Sequence, residues 1–176
     1  MGCGGHEAAL QSAQGRRSRP VSLMQDLTQQ VADHPFLKGF EPEHVALLQR
    51  EARQTRVRAG TVIAREGDPS ERFYLLLAGE VAIEALIPGK GQVSFQTVGA
   101  GEALGWSWLF PPFVWHFSAR ASTDVEALEW DTARLRALAE QHPRFGYELA
   151  RRLTHVLLTR LQATHLQLVE FYGPTT

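Results

Sequence analysis

Residues 64–81 read Ala64-Arg65-Glu66-Gly67-Asp68-Pro69-Ser70-Glu71-Arg72-Phe73-Tyr74-Leu75-Leu76-Leu77-Ala78-Gly79-Glu80-Val81, and the fold class turns on how this stretch divides. Phe73–Leu77 is a short apolar run held between Glu66-Gly67-Asp68-Pro69 and Ala78-Gly79, both strong turn chemistry. A strand between two turns follows. The same punctuation recurs on either side. Thr55–Arg58, Thr61–Arg65, Glu80–Leu86, Gln92–Val98 and Ser118–Glu129 form runs of roughly period two, parted by Ala59-Gly60, Pro88-Gly89-Lys90-Gly91 and Gly99-Ala100-Gly101. Many short strands at this spacing specify a mainly β fold, a sandwich or jelly roll with flanking helices.

Outside residues 55–129 the period is helical. Ser22 is a candidate N-cap for Leu23, Leu27 and Val31, a short helix that ends near Asp33 before His34-Pro35. Pro42 suits a first helical position, and Val45, Leu47 and Leu48 continue a second helix towards Gln54. Asp131 is an N-cap for Thr132–Gln141, and after His142-Pro143 a longer helix runs from Arg144 to about Tyr172. Its apolar residues sort into two stripes. Leu149, Leu153 and Val156 suit packing against the sheet, whereas Tyr147, Ala150, Thr154, Leu157, Leu161, Thr164, Leu168 and Phe171 follow the three-four spacing of a coiled-coil seam. Such a helix extends about 43 Å, more than a small domain needs to cover itself. The expectation is a homodimer through residues 144–172.

These elements give a flexible tail at 1–20, a β-roll domain with N-terminal helices at 21–141, the long helix at 142–172 and a short tail at 173–176. The formal net charge of -1 over 176 residues gives no attraction to a polyanion, and the 44% hydrophobic and 21% charged composition is that of an ordinary globular chain. Cys3 is the single cysteine, so neither a disulfide framework nor a thiolate metal site is available. Residues 1–20 lack a signal-peptide core, no apolar run reaches spanning length, and His6 stands where a myristoylation pattern needs Ser or Thr. A cytoplasmic protein without a membrane role is expected.

Gly101–Arg120, GEALGWSWLFPPFVWHFSAR, concentrates Trp106, Trp108, Phe110, Phe113, Trp115 and Phe117 around the tandem Pro111-Pro112. Two readings stand side by side, a structured binding loop and a buried hydrophobic plug.

The order of two short helices, about eight short strands and a long final helix resembles the cyclic-nucleotide-binding domain of the catabolite activator and FNR superfamily, over about residues 34–172. The block at 64–81 carries the resemblance most specifically, with its Gly-Asp turn, Tyr-led strand and Gly-x-Val turn. Gly99-Ala100-Gly101-Glu102-Ala103-Leu104-Gly105 resembles the opening of the family's phosphate-binding cassette. That resemblance implies a ribose contact at Glu102, phosphate-directed backbone amides at Glu102 and Ala103, and a closing arginine further on. Setting Ala119-Arg120-Ala121 on the family's next strand puts Trp115 in the arginine's place, with His116 beside it. Arg120 lies five residues later, roughly 17 Å along a strand and on the opposite face. Loss of the cation removes a contact of about 1.5–3 kcal/mol, and the expectation is a degenerate cassette that does not bind cyclic AMP in the usual way.

The candidate ligand-binding residues are therefore Gly101, Glu102, Ala103, Trp106, Trp115 and His116, with Trp108 and Phe113 as further lining and Thr164 as the hydroxyl that the resemblance places on the long helix. The function expected is a dimeric, non-catalytic regulatory module acting through a protein partner, its old pocket filled by the aromatic plug. The alternative is a genuine sensor that uses cassette 101–120 for a cyclic nucleotide or another small apolar ligand. No motif demands a cofactor. The superfamily's transcription factors carry a helix-turn-helix after the dimer helix, and with the sequence ending at Thr176 no direct DNA binding is expected. The histidines show no metal-ligand spacing, and neither Gly-x-Ser-x-Gly nor a P-loop occurs, so an enzyme is not expected.

Overall fold

The structure, a computed structural model, describes residues 19–172, with side chains from 26 to 169. Four helices, α1 (Arg19–Asp33), α2 (Pro42–Glu51), α3 (Thr132–Gln141) and α4 (Pro143–Tyr172), surround eight strands. The strands are β1 (Arg53–Val57), β2 (Val62–Ala64), β3 (Arg72–Ala78), β4 (Val81–Ile87), β5 (Gly91–Val98), β6 (Ala103–Leu104), β7 (Ser118–Ala121) and β8 (Val125–Asp131). They form two antiparallel sheets in the orders β1-β8-β3-β6 and β2-β7-β4-β5.

The alternation of side chains along β3 and β8 explains the layering. Phe73, Leu75, Leu128 and Trp130 face the helices, where they pack with Phe36, Leu48, Trp108, Leu135, Phe145 and Leu149. Leu76, Val125 and Ala127 face the second sheet and pack with Val81, Ile83, Val98, Leu104 and Trp115. Strands buried on both faces carry apolar residues at successive positions, which is why Phe73–Leu77 reads as a continuous run. Trp130 Nε1 donates to Leu48 O at 2.9 Å, tying β8 to α2.

Three details differ from the sequence reading. Ser118–Glu129 is two strands, β7 and β8, which lie in different sheets; between them Ser122-Thr123-Asp124 turns the chain, with Ser122 N donating to Glu80 O and Asp124 Oδ1 accepting from Ala59 N. Short polar side chains that satisfy backbone donors are the reason for the break. Gly79 permits it, because its φ is +85° and a Cβ there would lie 2.2 Å from Asp124 O. The cassette opening contributes a strand of its own, β6, paired with Tyr74 and Leu75. Helix α1 begins at Arg19, so Arg19 and Pro20 belong to it and not to a tail, proline being tolerated in a first turn. Of the tails expected at 1–20 and 173–176, residues 1–18 and 173–176 lie outside the described residues. Asp131 caps α3 as expected, accepting from Arg134 N at 3.1 Å.

Candidate functional site

The cassette enters from β5 through a tight turn. Glu102 N donates to Gly99 O, and the Glu102 carboxylate accepts from Gly99 N at 2.6 Å. Gly101, at φ +84°, donates from its amide to Leu76 O, and a Cβ there would lie 3.4 Å from Pro35 Cγ. His34 Nε2 reaches that same carbonyl at 3.0 Å, while its Nδ1 accepts from Phe36 N. The two nitrogens thus fix a neutral ring, and burial holds its pKa below the ordinary 6.5, partly offset by the bond to Leu76 O. The amide of Glu102, expected to face a phosphate, is committed to this turn.

Beyond β6, Gly105 allows the chain to pass under an indole. Its φ is +86°, and a Cβ there would meet Arg72 O and Trp115 Cη2, each at 2.9 Å. Ser107–Leu109 forms a single 3-10 turn. Trp106 stacks on His116 at 5.1 Å between centroids and an interplanar angle of 21°, and His116 Nδ1 lies 3.1 Å from Ser107 Oγ. Trp115 is buried in the core between the sheets.

These residues wall a cavity of about 320 Å³ between the second sheet, the cassette and α4. Trp106, Trp115 and His116 line it on the cassette side, Ile83 and Phe95 on the sheet side, and Leu157, Arg160, Leu161 and Thr164 on the helix side. The Thr164 hydroxyl donates to Arg160 O in its own helix. A second cavity of about 530 Å³ adjoins it, lined by Glu102, Gln96, Thr159, Arg160 and Thr164. Gly101 and Ala103 shape the cassette backbone and line neither cavity.

Three expectations need correction. Trp108 is fully buried under the helices against Phe73, because α3 and α4 cover its side of the sheet. Phe113 faces away from the cavity and lies beneath the Arg136 guanidinium, 5.0 Å from its centroid. The aromatic stretch does not plug the pocket: Trp108 goes to one core and Trp115 to the other, which leaves the space between Trp106 and α4 open. Arg120 is spent elsewhere, its Nε 3.2 Å from Glu84 Oε1 and its Nη1 donating to Gly60 O.

Arg160 is the cavity-lining cation that the sequence reading did not single out. Its Nη2 donates to Ala103 O at 2.7 Å, and its Nε is buried without a hydrogen-bond partner. Burial lowers its pKa, against the opposing field of Glu102. Among the described residues no carboxylate lies within 4.0 Å of it. The same residues include no cluster of three or more His, Cys, Asp or Glu placed to hold a metal, and no helix long and apolar enough to cross a membrane.

Two sheets, a Gly-Glu cassette opening and a long helix laid across it now match a known pattern at the level of sequence as well. The family model described as the cyclic nucleotide-binding domain matches residues 54–142, just over half of the chain. The chain belongs to that family. A CRP-like cAMP-activated global transcriptional regulator of Mycobacterium tuberculosis is 27% identical over 135 residues, 77% of this chain and 58% of the relative. Glutaminase 1 of Bradyrhizobium diazoefficiens is 30% identical over 136 residues, yet the match covers only 21% of that protein. The chain thus spans little more than half the length of the regulator and a fifth of the glutaminase. A cyclic nucleotide-binding domain from Methylobacillus flagellatus has the same fold, with a TM-score of 0.71, 22% identity and 88% of each chain covered. The cyclic-nucleotide-binding fold of CRP-like regulators is therefore the frame in which the cavity has to be read.

Proposed function

We propose that this chain is a non-catalytic, cytoplasmic sensory module that works as a homodimer through α4, acts on a protein partner, and does not bind cyclic AMP in the family's usual way. One observation carries the reading. Trp115, at the position where the resemblance calls for the closing arginine, is a buried indole packed on Gly105. An apolar wall stands where a phosphate would need a countercharge. The engagement of the Glu102 amide in the Gly99 turn and of Arg120 with Glu84 support the same view. The open cavity between the cassette and α4 favours sensing over the filled pocket of a purely structural domain.

A second reading, a genuine cyclic-nucleotide sensor, draws support from Arg160, a cation delivered to the cavity by α4. Calorimetric titration of cyclic AMP and cyclic GMP separates the two. The unmodified protein is expected to show no saturable heat with either nucleotide, and a Trp115→Arg variant to gain binding. Micromolar or tighter binding by the unmodified protein would establish the second reading instead.

A further inference from the structure

The cavity combines an apolar body with one charged group that lacks a counterion among the described residues. Trp106, Trp115, Leu157 and Leu161 supply flat and aliphatic surface. Among its neutral polar side chains, Ser107 Oγ and His116 Nδ1 lie at hydrogen-bond distance from each other, the Thr164 hydroxyl is used on Arg160 O, and the Gln96 amide is free among the described residues. A ligand rich in hydroxyls would bury groups with few partners, at a cost of about 1–3 kcal/mol each. Arg160 is the one charged side chain among the lining residues. A guanidinium carries five N–H donors in a fixed fork, one of which goes to Ala103 O, while the buried Nε has no hydrogen-bond partner. Glu102 opposes the loss of its charge from a distance but makes no ion pair with it; its Oε2 accepts from Gly99 N. A half-buried guanidinium without a counterion is costly, and a planar monoanion fits its fork in a bidentate manner.

We infer that the cavity takes a small monocarboxylate with an aromatic or aliphatic body, the body between Trp106, Trp115 and Leu157 and the carboxylate on Arg160. The inference rests on the sensing function proposed above. It differs from nucleotide binding in placing the anion on α4, so that an occupied cavity joins the helix to the cassette.

Three probes with one naphthalene body test it: naphthoate, naphthalenemethanol and naphthylmethylamine, titrated calorimetrically into the full chain beside cyclic AMP. Naphthoate is expected to bind about tenfold or more tightly than the alcohol, the gain of one charge-assisted contact, and the amine more weakly than both. In Arg160→Met the acid should fall to the alcohol's affinity while the alcohol is unchanged; Arg160→Lys should keep part of the preference. Should the Met variant fail to fold by circular dichroism, the unmodified protein and the Lys variant carry the decision. Equal affinity for acid and alcohol, an acid preference that survives Arg160→Met, or cyclic AMP binding more tightly than naphthoate would overturn the carboxylate assignment and leave sensing intact. Absence of binding by every probe would overturn the sensing function itself, and this inference with it.

Discussion

His34 shows how one side chain can couple the helical layer to the cassette. Its ring bonds the Leu76 carbonyl that also receives the Gly101 amide, and the following Pro35 lies where a Cβ on Gly101 would meet it at 3.4 Å. From sequence, His34-Pro35 is only a helix stop; the tertiary role depends on which carbonyl the ring meets. Because the ring is buried neutral, its folded pKa lies below the 6.5 of the free group. The sign follows from proton binding: below 6.5 the unfolded chain takes up the proton first, so stability is complete above that pH and is lost as pH falls towards the folded pKa. Thermal melts of the unmodified protein should therefore drop in midpoint as pH is lowered through and below 6.5. His34→Gln should flatten that part of the profile, and an unchanged profile would assign the acid sensitivity to other groups.

Helix α4 carries the division of labour that its two stripes announce. Leu149 and Leu153 are 1% exposed and belong to the core with Phe145, whereas Leu158, on the outer side, is 49% exposed. Leu153→Ala should cost about 2–5 kcal/mol in urea unfolding, since the rigid surroundings leave a cavity. Leu158→Ala should stay within about 0.5 kcal/mol in the monomeric unit; similar losses at both positions would refute the assignment of faces. The packing stripe was legible because period and burial agree. Arg160 was not: on a helical wheel it is one more charged residue, and only the docking of α4 across β6 brings its guanidinium to Ala103 O. Local pattern locates Glu102 and Trp115, but the cation comes from 40 residues or more further along the chain, where no motif marks it. The plug reading failed for a related reason, because aromatic density does not reveal that Trp108 and Trp115 turn to opposite sides of one sheet.

Taken as a whole, the molecule covers only part of its longest helix. From Leu161 to Val169 every residue of α4 is exposed, including Leu166, Leu168 and Val169. A helix end this exposed among the described residues is marginal in water, and an apolar stripe of this length marks an interaction surface. The three-four spacing of Leu157, Leu161, Thr164 and Leu168 favours a second copy of the same helix as the cover. The expected outcome is a dimer by sedimentation velocity and a melting midpoint that rises with protein concentration. Leu168→Lys should shift the protein to monomer at equal concentration. Leu168 lines neither cavity, so the variant leaves the ligand-facing walls intact. Leu157, Leu161 and Thr164 line the first cavity and also lie on the expected seam, so a ligand and a second copy of the helix would act on one helical face. Linkage is reciprocal: a ligand that tightens the dimer must bind the dimer more tightly by the same factor. Naphthoate affinity should accordingly change in Leu168→Lys in the same direction as the ligand's own effect on dissociation: a ligand that suppresses dissociation should bind the variant more weakly. A native protein that sediments as a monomer at every concentration, or a Leu168→Lys protein that remains dimeric, would show that the seam is not the interface.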